Sequence, residues 1–224
     1  VEKLMQKKEA SILFTDPPYL VDYTGKDRPD DRGKDWTSEY QEIPASQYNE
    51  FYKQFLTIAM AHIEKNSAIY IWHASARFKY LYECFVEMNI LPHQTVIWVK
   101  PRTIMGYSIY HWQFEPCLLG RQKGFKPHMN SIDMFSNVWQ VDYEGKKNLR
   151  GNEHPTQKPT RLFEIPILKH TKRNAICYEP FAGSGSQFIA CEKAGRICYG
   201  MEISPAFCDV IRQRYANFIE KQGG

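Results

Sequence analysis

The chain has 224 residues, and 29 Lys+Arg against 25 Asp+Glu give a formal charge of +4. Apolar residues make up 43%, aromatics 14% and charged residues 24%, a composition that excludes disordered and fibrous chains. No run of about 18 apolar residues occurs, so no membrane-spanning helix is expected. No charged, then apolar, then small-residue leader marks export, so a cytoplasmic protein is expected.

The length fits one domain with room for a sizeable core. None of the six cysteines forms a CxxC pair and the seven histidines form no HExxH. Reduced thiols are therefore expected, with no disulfide framework and no metal site. A slightly basic balance permits nucleic-acid binding but does not argue for it without a concentrated patch. The chain opens on Val1 and enters a helix-like charged stretch, Glu2 to Glu9. It reads as a piece of something longer, truncated at the N-terminus.

Taken in order, Ala10 to Thr15 is a short apolar run that ends at Asp16-Pro17-Pro18-Tyr19. Bounded in this way it reads as a buried strand of a parallel sheet. The charged stretch 24–39, with Tyr23 and Trp36 beside or within it, reads as a loop near the active site. It either closes over a substrate or is a polar surface loop. Residues 47–63 carry apolar side chains at helical spacing. Strands are expected at 68–72, 95–99 and 115–119, and a helix at 78–88. Trp72 and Trp98 are assigned to the core, and His73 to a packed position after its strand. Residues 120–153 lose periodicity and are rich in Gly, Lys and Asn. A helix over 160–169 contains Pro166, expected to end or kink it. Ala175 to Tyr178 is a second short strand, leading into Glu179-Pro180-Phe181-Ala182-Gly183-Ser184-Gly185-Ser186. A helix to Ala194 is closed by Gly195, a strand covers 197–202, and Ser204-Pro205 opens the last helix. Strands alternating with helices predict an α/β three-layer sandwich.

The loop after the second strand has a nucleotide-binding cast. Gly183 and Gly185 accept backbone angles denied to other residues and let a ligand lie against the main chain. Nineteen residues past Gly183 stands Glu202, where a carboxylate can accept hydrogen bonds from both hydroxyls of a ribose. The combination suits an adenosine-containing cofactor. A dinucleotide is the weaker alternative, because the loop reads GSGS rather than GxGxxG.

In a parallel sheet the carboxyl ends of the strands form the ligand crevice, so the DPPY loop should converge with the glycine loop. The two prolines fix the main chain and hold the Pro17 carbonyl. Asp16 offers an acceptor and Tyr19 a flat ring, which together can grip a planar group carrying an NH2. Hydrogen bonds accepted from that NH2 favour a more tetrahedral nitrogen, whose lone pair can attack a sulfonium methyl in line. Rate would come mainly from placing the two atoms about 3–3.5 Å apart and from charge placement.

DPPY followed far downstream by FxGxG resembles the amino-methylating DNA methyltransferases of the β permutation class. Three other segments carry the resemblance: His154-Pro155-Thr156-Gln157-Lys158-Pro159, the Tyr199 to Pro205 stretch (YGMEISP), and Trp112 to Gly120 (WQFEPCLLG). It spans nearly the whole chain and is weakest over 24–45 and 122–150. It implies a Rossmann-like S-adenosylmethionine-dependent methyltransferase fold with circularly permuted motif order. It also implies a single domain over 1–224, with 121–153 as the target-recognition or insert segment. Asp16, Pro17, Pro18 and Tyr19 would form the catalytic loop. Glu179, Pro180, Phe181, Ala182, Gly183, Ser184, Gly185 and Ser186, with Glu202 and Ile203, would line S-adenosyl-L-methionine. Thr156 and Lys158 would lie near its carboxylate. Aspartate at the head of the motif points to adenine N6 in double-stranded DNA. Cytosine N4, or a silent DNA-binding domain of the same fold, stand as alternatives. The resemblance further implies restriction-modification, a homodimer as one possible state, and a further N-terminal domain outside this chain.

The target base would have to be flipped out of the duplex. Expected phosphate contacts along the crevice rim are Lys100, Arg102, Arg121, Lys123, Lys126, Lys146, Lys147 and Arg150, with Asn148 and Asn152 reading base edges.

Overall fold

The buried run 10–15 forms β1 (Ala10–Thr15), an interior strand of a seven-stranded sheet. The structure, a computed structural model, describes residues 1–19, 45–104, 109–130, 136–144 and 157–223. The remaining strands are β2 (Ile63–Trp72), β3 (Ile90–Ile104), β4 (Trp112–Gln122), β5 (Val138–Gln140), β6 (Ile176–Glu179) and β7 (Ile197–Gly200). Their order is β5-β3-β4-β2-β1-β6-β7. Neighbours pair in parallel except at β4, which runs antiparallel to both β2 and β3.

The helices are α1 (Glu2–Met5), α2 (Tyr48–Met60), α3 (Phe78–Glu87), α4 (Thr160–His170), α5 (Ser186–Ala194) and α6 (Pro205–Gly223). Two apolar clusters lie on opposite faces of the sheet. One joins Leu13, Ile69 and Ile71 to Tyr52, Leu56, Leu81 and Phe85 from α2 and α3. The other joins Ile12, Phe14, Tyr70 and Trp72 to Leu162, Phe163 and Ile167 of α4 and Ala190 of α5. Alternate residues of β1 and β2 thus face opposite layers, as a pleated strand requires. This is the expected α/β sandwich, and α6 packs beside α5.

Several boundaries differ from the sequence reading for local reasons. The charged N-terminal helix stops at Met5, because Gln6 and Lys7 take left-handed angles, φ 47 and 65. β3 and β4 extend well beyond their apolar centres: they pair as an antiparallel hairpin, and a half-solvated pair needs no continuous apolar run. Pro166 lies inside α4 without ending it, where the buried Leu162, Phe163 and Ile167 hold the helix on the sheet. Ser204 starts α6 as read, its hydroxyl accepting from Phe207 N at 3.4 Å. Trp72, Trp98 and His73 are buried, and all six cysteines are free thiols. Among the described residues no helix is long and apolar enough to cross a membrane.

β4 passes α3 so closely that a Cβ at Gly120 would lie 2.5 Å from the Phe85 ring, itself fully buried. Gly120→Ala should therefore destabilise the fold by about 1–3 kcal/mol through overpacking. Urea unfolding would read it as a lower midpoint at unchanged slope.

Candidate active site

The chain leaves β1 toward β2 on one side and leaves β6 toward β7 on the other, so the connections diverge between β1 and β6. Such a divergence opens a crevice at the carboxyl ends of the strands. Ile12 lies opposite Cys177 and Leu13 opposite Tyr178. The loops that follow, DPPY and FAGSGS, therefore start side by side. The Thr15 hydroxyl donates to Glu179 Oε1 across the join.

The glycine loop is tied down by backbone bonds. Ala182 N donates to Met201 O and Gly185 N to Ala182 O, both at 2.8 Å. Gly183 (φ 51) and Gly185 (φ 78) are left-handed, and a Cβ on Gly185 would stand 2.9 Å from Ile211 of α6. Glu202 sits just past β7 with one amide on each oxygen: Gly183 N on Oε2 at 2.8 Å and Ser204 N on Oε1 at 2.9 Å. A carboxylate has about four acceptor positions. The partly exposed Glu202 thus keeps capacity for the hydroxyls of a ribose while its orientation is fixed.

Lys158 stands against the DPPY loop. It is 6% exposed, and its ammonium donates to Asp16 Oδ2. The same nitrogen lies 3.0 Å from Glu115 Oε2 and donates to the Tyr19 hydroxyl at 3.2 Å. It also sits over the rings of Trp72 and Tyr19, at 5.2 and 5.5 Å from their centroids. Lys100 closes the row with its nitrogen 2.6 Å from Glu115 Oε1. The charges alternate: Asp16, Lys158, Glu115, Lys100. Asp16 Oδ1 is left out; it is buried and has no hydrogen-bond partner among the described residues. A buried acceptor without a donor is costly, and a bound amine would satisfy it.

The charge states follow from this arrangement. Burial raises the Asp16 carboxyl above its ordinary range, with Lys158 opposing. Burial also opposes the charge on Glu115, but Lys158 and Lys100 hold it down to about 2. Lys158 stays protonated: burial works against its charge, and Asp16 and Glu115 outweigh burial.

The expected site residues divide accordingly. Asp16, Pro17, Pro18, Tyr19, Lys158, the 179–186 loop and Glu202 gather at one crevice, and Ile203 stands beside it, 85% exposed. Lys158 faces Asp16 rather than standing free for a cofactor carboxylate. Glu179 lies inside the fold. It is 2% exposed, and burial pushes its carboxyl well above the usual range. Its oxygens take the Thr15 hydroxyl, Phe181 N and the Gln187 amide, so it braces the loop from inside. Phe181 likewise packs on Phe51 and Phe55.

The rim cations do not form one row. Lys100 is buried in its ion pair. Arg121, Lys123 and Lys126 lie at the opposite end of the sheet, because antiparallel β4 carries the chain away from the crevice. Arg121 pairs with Ala68 in β2, Lys123 N bonds Asn89 O ahead of β3, and His128 N bonds Asn66 O. β5 then runs parallel to β3 and returns the chain toward the crevice. Arg102 is exposed at the crevice end of β3. Thr156, Lys146, Lys147, Arg150, Asn148, Asn152, Tyr23 and Trp36 lie outside the described residues.

A family profile described as DNA methylase, of the N6/N4 methyltransferases, matches residues 10–213. The chain belongs to this family. The type II methyltransferase M.HpaI of Haemophilus parainfluenzae is 23% identical to this methylase over 233 residues, covering 95% of this chain and 70% of its own length. Among solved structures, a complex of M1.HpyAVI with SAM has TM-score 0.70 at 22% identity, over 94% of this chain and 90% of the other. The cytosine-N4-specific PvuII DNA methyltransferase has TM-score 0.73 at 13% identity, over 95% and 83%. The methylase therefore has the α/β fold of S-adenosylmethionine-dependent methyltransferases.

Glu115 is the site residue of this methylase that sequence reasoning did not assign. Its signal was a carboxylate inside the apolar strand run EPCLL. Lys158→Met should leave the Asp16 carboxylate without its counter-charge, beside a Glu115 that keeps only Lys100, and cost about 3–5 kcal/mol near neutral pH. The depressed Glu115 group contributes stability above its unfolded pKa, and that contribution is lost as pH falls toward about 2. The deficit of the variant should shrink between about pH 7 and about pH 4 as its unpaired Asp16 carboxylate, raised by burial, protonates. Urea unfolding at both pH values measures it.

Proposed function

We propose that this DNA methylase transfers a methyl group from S-adenosylmethionine to the exocyclic N6 amine of adenine, with the base turned out of double-stranded DNA. The observation that carries the reading is Asp16 Oδ1, a buried acceptor without a donor among the described residues, at a crevice shared with the glycine loop. Asp16 heads the DPPY motif, and this is the ground for choosing adenine.

Each role follows from a named atom. Asp16 Oδ1 accepts one amino proton and the Pro17 carbonyl the other, while the Tyr19 ring stacks on the base. These bonds favour a more tetrahedral nitrogen and free its lone pair. Asp16 Oδ1 is also in place to take the proton that the amine must shed as it gains a methyl group. Glu202 and the 183–185 backbone hold the nucleoside part of the cofactor, which when bound supplies an electrophilic methyl on a sulfonium. Turning the base out of the stack costs a few kcal/mol, offset by stacking on Tyr19 and by satisfying Asp16. Arg102 is the described cation placed for a phosphate at the crevice end. The reading puts the enzyme with its DNA in the cytoplasm.

Radiolabelled cofactor and unmethylated duplex DNA test this directly. Label on adenine is expected. Label on cytosine would move the target to N4, and DNA binding without label would leave a silent domain. Asp16→Ala should lose at least about a hundredfold in transfer and keep cofactor affinity, whereas Glu202→Ala should lose cofactor affinity. Because burial raises the Asp16 carboxyl and the reaction needs it ionised, activity should fall on the acid side at a pH above the range of an ordinary aspartate.

A further inference from the structure

The row of charges behind the catalytic loop contains more than the chemistry of Asp16 requires. Glu115 and Lys100 touch neither the glycine loop nor the free oxygen of Asp16. Their place is set by the β3–β4 hairpin: Glu115 pairs across from Trp98, which puts Lys100 one diagonal step away at the same end of the sheet. Both Glu115 oxygens are engaged. Oε1 meets Lys100 at 2.6 Å, and Oε2 meets Lys158 at 3.0 Å and accepts the Tyr19 hydroxyl proton at 3.1 Å.

The Tyr19 hydroxyl makes this arrangement directional. A phenol has one proton to give. Lys158 donates into the Tyr19 oxygen at 3.2 Å, so the Tyr19 proton goes to Glu115. The tip of the ring is then held from two sides, and so is the ammonium that occupies Asp16 Oδ2. With two ammonium groups and two carboxylates the row is neutral, and Oδ1 is the one atom of the Asp16–Lys158 pair aimed elsewhere. Burying such a row gives little stability compared with apolar side chains of the same volume, so its geometry calls for another explanation.

We propose that Glu115, itself held by Lys100, is a positioning residue for methyl transfer. It anchors the Tyr19 hydroxyl and the Lys158 ammonium, so that the Tyr19 ring and Asp16 Oδ1 meet the target amine in one fixed arrangement. The proposal rests on the reading of Asp16 and Tyr19 as the grip on a flipped base. The charged and titratable groups facing Glu115 are Lys100 from β3, Lys158 ahead of α4, Asp16 and Tyr19 after β1, and Tyr143 after β5.

A double-mutant cycle on the full chain tests it. Glu115→Gln and Tyr19→Phe should each lower kcat by about ten- to a hundredfold, the range of a hydrogen bond to a charged group. Cofactor affinity should stay unchanged, which also reports that the variants fold. The double variant should be slower than Glu115→Gln alone by clearly less than the full Tyr19→Phe factor, because the Tyr19–Glu115 bond is common to both changes while Tyr19 also meets Lys158. Glu115→Asp should recover part of the rate. Losses that multiply, or a Glu115→Gln variant with wild-type kcat, overturn the proposal.

A second readout needs no turnover. The Lys158 ammonium protons, shielded between Asp16, Glu115 and two rings, should give a slowly exchanging NMR signal that disappears in Glu115→Gln. An unchanged signal in that variant overturns the clamp. A wild-type chain that methylates no base while this signal behaves as expected overturns the functional reading and leaves the clamp standing.

Discussion

The site depends on one buried ion pair, Asp16 with Lys158. One carboxylate oxygen is neutralised and the other has no partner among the described residues. Removing an ionised aspartate from water is strongly unfavourable unless it is paired, and Lys158 provides the pairing on the side away from the crevice. Lys158 is in turn held in place by its own backbone. Ser186 Oγ donates to the Lys158 carbonyl at 2.6 Å, which ties the lysine to the first turn of α5, directly after the glycine loop. Glu144 accepts from Thr160 N at 2.9 Å and steadies the start of α4 just behind it. The DPPY loop and the glycine loop therefore share a brace at Lys158, in addition to the Thr15–Glu179 bond across the join.

The sheet explains why these pieces meet. β1 and β6 are adjacent and parallel, and the chain leaves them in opposite directions, so their loops open a common crevice. The reversed direction of β4 has two consequences at once. It brings Glu115, near the start of the strand, to the crevice end of the sheet. It also takes Arg121, Lys123 and Lys126, at and beyond its end, to the far side. A strand that merely continued the parallel pattern would have exchanged the two.

Much of the fold was legible in the residues. β1 matched its apolar run residue for residue, α2 followed its helical spacing, α3, α4 and α6 formed where helices were read, and Gly195 closed α5 as read. The hairpin was underestimated because its outer residues alternate in polarity and are held by pairing rather than by burial. The candidate site was legible as two loops. Its electrostatics were not: Lys158 was read against a cofactor carboxylate, Lys100 against phosphate and Glu179 only as one of the residues lining a cofactor. A sequence shows that a lysine is present, not which carboxylate is within 3 Å of it.

By itself, the sequence determined the alternation of strands and helices, the two special loops with the acid at Glu202, and the family to which the order of motifs belongs. These are local properties, written in hydrophobic spacing and in the backbone demands of proline and glycine. Tertiary structure alone decided which charges pair. The strand register that sets Lys100 diagonal to Glu115, and the direction of β4 that parts Glu115 from Arg121, are properties of chain segments meeting in space. The choice of Lys158 as partner for Asp16 is of the same kind. Coulomb attraction depends on distance between atoms rather than on separation along the chain.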